Sequence, residues 1–182
     1  METLLYWDGQ ILLWIQETLR THWLTPIMQA VTFLGEAGWF WIALAAVLCC
    51  FRPTRRAAIA AAIALLLSLL VNNLILKPLV DRTRPYEVLE GLVNLAPPPG
   101  DASFPSGHAG ASFAASTAMA PHLKRRWGVC LIALAALIAL SRLYLGVHFP
   151  TDVAAGALIG VILGALASRA SRRFPERWFE RR

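Results

Sequence analysis

Charge is scarce in this chain. Of its 182 residues only 15% are Asp, Glu, Lys or Arg, whereas 57% are hydrophobic. That balance excludes an ordinary soluble globule, because several apolar runs approach the ~20 residues a helix needs to cross a bilayer. Cysteine is scarce too. Cys49, Cys50 and Cys130 all lie inside apolar runs, with neither metal-ligand nor disulfide spacing, and read as small core or lipid-facing residues. No HExxH string is present, and no third carboxylate lies near the histidine–aspartate pair, which argues against a metal site. The start, Met1-Glu2-Thr3, has no basic region, and Asp8 and Gln10 interrupt the first apolar run. A cleaved signal peptide is therefore not expected, and insertion would proceed through the chain's own spans. Acidic residues are fewer than basic ones, giving a net charge of +6. The basic residues flank apolar runs, so membrane topology explains them better than a nucleic-acid partner.

The expected fold is an all-α polytopic membrane bundle of about five transmembrane helices. Residues 1–34 are read as amphipathic interfacial helices. In the first, Leu4, Leu5, Ile11, Leu12, Ile15 and Leu19 fall near one face, and Asp8, Gln16, Glu17 and Arg20 interrupt the rest. A second short helix is expected from Pro26 to about Leu34. The core, residues 35–168, holds spans at about Gly38 to Phe51, Ala57 to Leu76, Pro105 to Ala120, Trp127 to Tyr144 and Asp152 to Ala167. Pro105 suits a first helical position. A proline-rich loop from Asp81 to Phe104 separates the second and third spans, and residues 169–182 form a basic tail. Gly156, Gly160 and Gly164 recur at four-residue spacing, which lets helices approach closely. Packing inside the bundle explains them better than a homodimer interface, which stays open.

Charge bias orients the bundle. If the 52–56 turn, the 122–127 turn and the tail face the cytoplasm, they hold 12 of the 17 basic residues, as the positive-inside rule requires. Arg20, Lys77, Arg82, Arg84 and Arg142 then lie outside. Trp39, Trp41 and Trp127 suit interfacial belts. The reading is a multi-pass protein of a bacterial cytoplasmic membrane, with an extracytoplasmic site and a cytoplasmic C-terminus.

Three polar strings break the apolar pattern: Lys77 with Arg84-Pro85, Pro105-Ser106-Gly107-His108, and Ser141-Arg142 with His148 and Asp152. Ionisable residues beside hydrocarbon spans are costly and point to a use. Lys77, Arg84 and Arg142 can neutralise the anionic oxygens of a phosphate ester. Pro78 and Pro85 end the helix between Lys77 and Arg84, so a loop curls both towards one point. The second string reads as a helix start whose free N–H groups suit an anion. Ser106 adds a hydroxyl, Gly107 permits close approach, and His108 is placed to donate a proton. A helix cap with an incidental histidine remains the alternative. An Asp152 carboxylate on one nitrogen of His148 would leave the other free to attack. Here the alternative is a simple N-cap beside a surface histidine.

Together the strings resemble the type 2 phosphatidic acid phosphatase (PAP2) superfamily, whose pattern is K-x6-RP, PSGH and SR-x5-H-x3-D. KPLVDRTRP, PSGH and SRLYLGVHFPTD match it in order, and the resemblance covers roughly Thr32 to Ala167. It implies that His148 forms a phosphohistidine, that Asp152 orients it, and that His108 acts as acid and then base. Lys77, Arg84, Ser106, Gly107 and Arg142 become the phosphate cradle, with no metal or cofactor. Many members have six spans, against five counted here. The resemblance implies hydrolysis of a lipid phosphate or diphosphate, best undecaprenyl pyrophosphate. Phosphatidylglycerophosphate or phosphatidic acid hydrolysis and lipid phosphotransfer are the enzymatic alternatives, and a phospholipid transporter or binding module the non-enzymatic one. Glu36 and Tyr144 are possible substrate contacts. Asp81, Arg82 and Glu87 are read as solvating their loop, and His22 and His122 as solvated residues without partners.

Overall fold

Small residues decide where the helices meet. The computed structural model describes residues 2–175 and is all-helical over that range. Nine α-helices follow in order: α1 (Glu2–Leu19), α2 (Leu24–Leu34), α3 (Trp39–Cys50), α4 (Arg55–Ser68), α5 (Lys77–Val80), α6 (Pro85–Val88), α7 (Gly107–Met119), α8 (Arg125–Tyr144) and α9 (Pro150–Ser171). A π-helical stretch, Leu69–Leu76, joins α4 to α5. Helix α7 is central, packed against α4, α8 and α9.

The α7–α9 contact is a backbone contact. Gly156, Gly160 and Gly164 recur once per turn on α9. A methyl group added at each would lie 2.5 Å from the carbonyl oxygens of Ser106, Gly110 and Ala114 respectively. Only hydrogen fits there. Across the contact α7 presents Ala109, Gly110, Ala114 and Ala118, all buried. The four-residue glycine spacing thus serves packing within the bundle.

Three helical stretches are long and apolar enough to cross a membrane: Arg52–Val88, Arg125–Tyr144 and Pro150–Ser171. A fourth arises if Leu24–Leu34 and Glu36–Cys50, bent by 45°, count as one span. By length and composition this gives three or four spans, beside the about five expected from the sequence. Helix α3 has 12 residues and α7 has 13, or about 20 Å each at 1.5 Å per residue, short of the hydrocarbon thickness. The bend follows from Ala37 (φ 46°) and Gly38 (φ 68°), two successive left-handed residues. Helix α7 starts at Gly107 with Ser106 as its N-cap, so Pro105 precedes the helix rather than opening it.

Helix α1 also departs from expectation. It packs on α8 and α9, burying Asp8, Leu12 and Ile15. Tyr6, Trp7, Ile11 and Trp14 face outward. The polar Asp8 is therefore inside and the aromatic residues outside, because Asp8 has buried partners and the outer face is apolar. Gln16 and Arg20 donate to the Gly91 and Val93 carbonyls at 2.8 and 2.7 Å, tying α1 to the proline-rich loop.

Two further readings change. Trp41 is not an interfacial anchor: it is fully buried and its indole N–H donates to Ser112 Oγ at 3.0 Å. His122 is not without partners, since its Nε2 lies 3.0 Å from Ser168 Oγ and 3.2 Å from Ser171 Oγ. The three cysteines are exposed rather than in the core. Arg177, Arg181 and Arg182 of the expected tail lie outside the described residues.

Gly160→Ala tests the contact. The added methyl meets Gly110 O at 2.5 Å and should lower stability by about 1–3 kcal/mol, the usual cost of overpacking, read as a lower thermal midpoint in detergent. Gly100→Ala, which meets nothing within 4 Å, should leave it unchanged.

Candidate active site

The N-termini of α7 and α9 are held side by side: the Ser106 N–H donates to the Asp152 carbonyl at 3.0 Å. Two helix starts, with their positive dipole ends, therefore converge. Ser106 is fully buried and its Oγ accepts the Ala109 N–H at 3.5 Å, so its hydroxyl caps α7.

His148 sits in the buried turn between α8 and α9. Its Nδ1 lies 3.6 Å from Asp152 Oδ2 and 3.5 Å from Ser103 Oγ. These contacts are longer than a well-formed hydrogen bond. The arrangement turns Nδ1 to the carboxylate and leaves Nε2 away from it. The Asp152 carboxylate is itself held firmly. Oδ2 accepts from Ser103 Oγ at 2.6 Å and the Phe149 N–H at 2.9 Å, and Oδ1 accepts from Arg82 at 2.6 Å.

Lys77, Arg84, Gly107, His108, Arg142 and His148 all line one cavity of about 1130 Å³. Helix α5 ends where Asp81 turns left-handed (φ 44°), and the following loop returns Arg84 towards Lys77. Both cations grip Asp101: Lys77 pairs with Oδ2, and Arg84 donates to Oδ1 at 2.6 Å and to the Asp101 carbonyl at 2.9 Å. Arg84 also donates to the Val147 carbonyl at 2.8 Å, which fixes the turn carrying His148. Burial by itself would raise the Asp101 carboxyl. The hydrogen bonds and charges of Lys77 and Arg84 outweigh burial and hold it below the usual carboxylate range. Asp101 is thus an ionised carboxylate held between the Lys77 and Arg84 cations.

On the opposite wall Arg142 donates to Thr32 Oγ1 at 2.6 Å, and its Nε is buried without a partner. His108 Nε2 faces Glu36 Oε2 at 3.6 Å. A methyl group added to Gly35 would lie 2.6 Å from the His108 ring, so the α2–α3 elbow closes directly over this histidine. Glu36 lines the cavity, exposed. Tyr144 does not: its buried hydroxyl accepts the Thr21 N–H and contacts Thr25 Oγ1, each at 3.0 Å. It anchors the α1–α2 junction.

From the cations the cavity runs between α3 and α4, lined by Ile42, Ala45, Cys49, Ile59, Ala62 and Leu66. The eleven residue steps from Gly38, just before α3, to Cys49 carry it about 16 Å along the helix. Asp101, Ser103, Arg82, Asp8, Thr32 and the cavity-lining Asn73 were not foreseen as site residues. Arg82 does not solvate its loop as expected, because it pairs with Asp8 and Asp152. Asp81 and Glu87 are exposed.

A helical membrane bundle with a buried histidine–carboxylate couple facing three cations belongs to the class of integral-membrane phosphoryl-handling proteins. The chain belongs to the PAP2 superfamily, whose pattern matches residues 57–176. It is 35% identical to an undecaprenyl-diphosphatase of Sulfolobus acidocaldarius, over 71% of this chain and 64% of that protein. It is likewise 35% identical to a decaprenylphosphoryl-5-phosphoribose phosphatase of Mycobacterium tuberculosis, over 76% of this chain and 75% of that protein. Crystalline LpxE of Aquifex aeolicus superposes with a TM-score of 0.77 at 29% identity, covering 88% of this chain and 93% of that one. The fold also matches a transmembrane PAP2-type phosphatidylglycerolphosphate phosphatase of Bacillus subtilis, with a TM-score of 0.81 at 24% identity over 96% and 89% of the two chains.

Burial, with the nearby charges of Arg142 and Arg84, lowers the His148 pKa from 6.5 to about 4 against the opposing pull of Asp152. The folded value is depressed, so the unfolded chain takes up this proton first. The stability contributed by neutral His148 is present above pH 6.5 and is lost as pH falls from 6.5 to about 4. A ¹⁵N-imidazole NMR titration should place the His148 midpoint near 4. A midpoint at or above 6.5 would contradict the described burial.

Proposed function

We propose that this chain is an integral-membrane lipid phosphatase that hydrolyses a lipid phosphate or diphosphate through a phosphohistidine on His148. One observation carries the reading: a single cavity joins the cations and both histidines to an apolar groove along α3 and α4. A headgroup phosphate meets Lys77, Arg84 and Arg142 while its hydrocarbon tail lies in the groove.

The chemistry follows from the geometry. The phosphate displaces Asp101 from Lys77 and Arg84, and the helix start at Gly107 adds its N–H groups. His148 Nε2 attacks phosphorus as the bond to the leaving oxygen breaks, and His108 gives that oxygen a proton. Water then attacks the phosphohistidine. His108 takes the water proton, the P–N bond breaks, and phosphate leaves. Asp152 keeps the His148 tautomer and offsets charge on the ring. The cations supply the neutralisation that phosphoryl transfer needs.

Undecaprenyl diphosphate is the first candidate substrate, supported by relatives named for prenyl-lipid phosphates. The basic turns at 52–56 and 122–126 support a site on the extracytoplasmic face and a cytoplasmic C-terminus.

Purified protein should release phosphate in the presence of chelator from a panel holding undecaprenyl diphosphate, phosphatidylglycerophosphate and phosphatidic acid, with the prenyl lipid turned over fastest. His148→Ala should lower kcat by about 10³-fold or more. Undiminished release by that variant sinks the reading.

A further inference from the structure

Helix α1 carries a buried carboxylate into the reaction centre. Asp8 is 3% exposed, on a helix whose outer face is aromatic and aliphatic. A charge there is unfavourable unless fully paired. Its partners are Arg82 Nη2, at 2.9 Å from Oδ2, the Thr151 N–H, at 3.1 Å from Oδ1, and the Thr151 hydroxyl. Arg82 Nη1 continues to Thr151 Oγ1 at 2.7 Å and to Asp152 Oδ1 at 2.6 Å. The guanidinium lies 4.0 Å from the Phe149 ring centroid, so it is held on its face as well as at both ends.

We propose that Arg82 and Asp8 are positioning residues: the Asp8–Arg82–Asp152 chain holds the Asp152 carboxylate in the orientation that faces His148. The proposal rests on the phosphohistidine reading above. An arginine fork prefers to grip one carboxylate with two parallel hydrogen bonds. Here Asp8 occupies Nη2, so Arg82 reaches Asp152 through Nη1 and Oδ1 alone. Oδ2 is left to Ser103, the Phe149 N–H and His148. Without Asp8, Nη2 is free to take the second Asp152 oxygen and draw it from the imidazole. Without Arg82, Oδ1 loses its only side-chain hydrogen bond among the described residues and Asp8 loses its counter-ion. The two residues enter from opposite sides of the matched stretch's boundary: Arg82 lies inside residues 57–176 and Asp8 about fifty residues before it.

The test uses the full chain in nanodiscs, with the panel lipid turned over fastest as substrate, and compares kcat and KM for the wild type, Arg82→Gln, Asp8→Asn and the double variant. Arg82→Gln should lower kcat about 10²-fold, the scale of a misoriented catalytic group, and Asp8→Asn about tenfold. KM should stay within about twofold, because the phosphate cradle is untouched. The double variant should fall no further than Arg82→Gln, as expected for residues acting in series. Thr151→Val, which removes one shared hydroxyl and keeps the fold's packing, should lower kcat in the same direction and guards against a variant that does not fold.

Wild-type kcat in both single variants overturns the proposal, and so do losses confined to KM or losses that multiply in the double variant. Failure of the underlying reading shows differently. It appears as phosphate release that survives His148→Ala, or as a wild type that hydrolyses no lipid in the panel, and either result removes the chain's positioning role with it.

Discussion

The site depends on one close contact between two backbones. Gly156, Gly160 and Gly164 let α9 lie against the carbonyls of α7, and the Ser106–Asp152 main-chain hydrogen bond ties the two helix starts together. His148 and Asp152 precede or open α9, and Gly107 and His108 open α7. Side chains at these glycines would part the helices and separate the histidine–carboxylate couple from Gly107 and His108. A tight bundle of small residues is thus the mechanical condition for the chemistry at its end.

Electrostatic balance is the second condition. Lys77, Arg84 and Arg142 face one cavity, and like charges so placed repel unless an anion is present. Asp101 supplies that anion at rest and, with Glu36 at the elbow, still leaves the cavity net positive, three cations against two carboxylates. Behind His148 the signs reverse, with Asp152 and Asp8 sharing Arg82. The imidazole therefore lies between an anionic support and a cationic cavity wall, the arrangement that the proposed attack on a phosphate needs.

Much of the centre was legible because its signals are local. PSGH announces a helix start through Ser106 and Gly107, and the prolines after Lys77 and Arg84 announce the loop that brings both to Asp101. His148 and Asp152 are four residues apart. Asp8, Thr32 and Asp101 carried no such signal: their partners lie 74, 110 and 24 residues away, and a lone polar residue in an amphipathic helix or polar loop looks solvated. Trp41 was hard to read for a related reason. Apolar content reports burial as readily as lipid contact, so Trp41 suits an interfacial belt by its position although it is buried and hydrogen-bonds to α7. The break between α2 and α3 was visible in Gly35-Glu36-Ala37-Gly38, but the left-handed pair that bends it, and closes the elbow over His108, was not.

The account makes a phosphoramidate on one nitrogen its obligatory intermediate. Rapid quenching into alkali, where phosphohistidine survives, during turnover of a lipid labelled with ³²P in its terminal phosphate traps that species, and peptide mapping locates it. The label should appear on His148 within the first turnover and decay as phosphate is released. Steady phosphate release with no label on His148, or with label on another residue, would contradict the account.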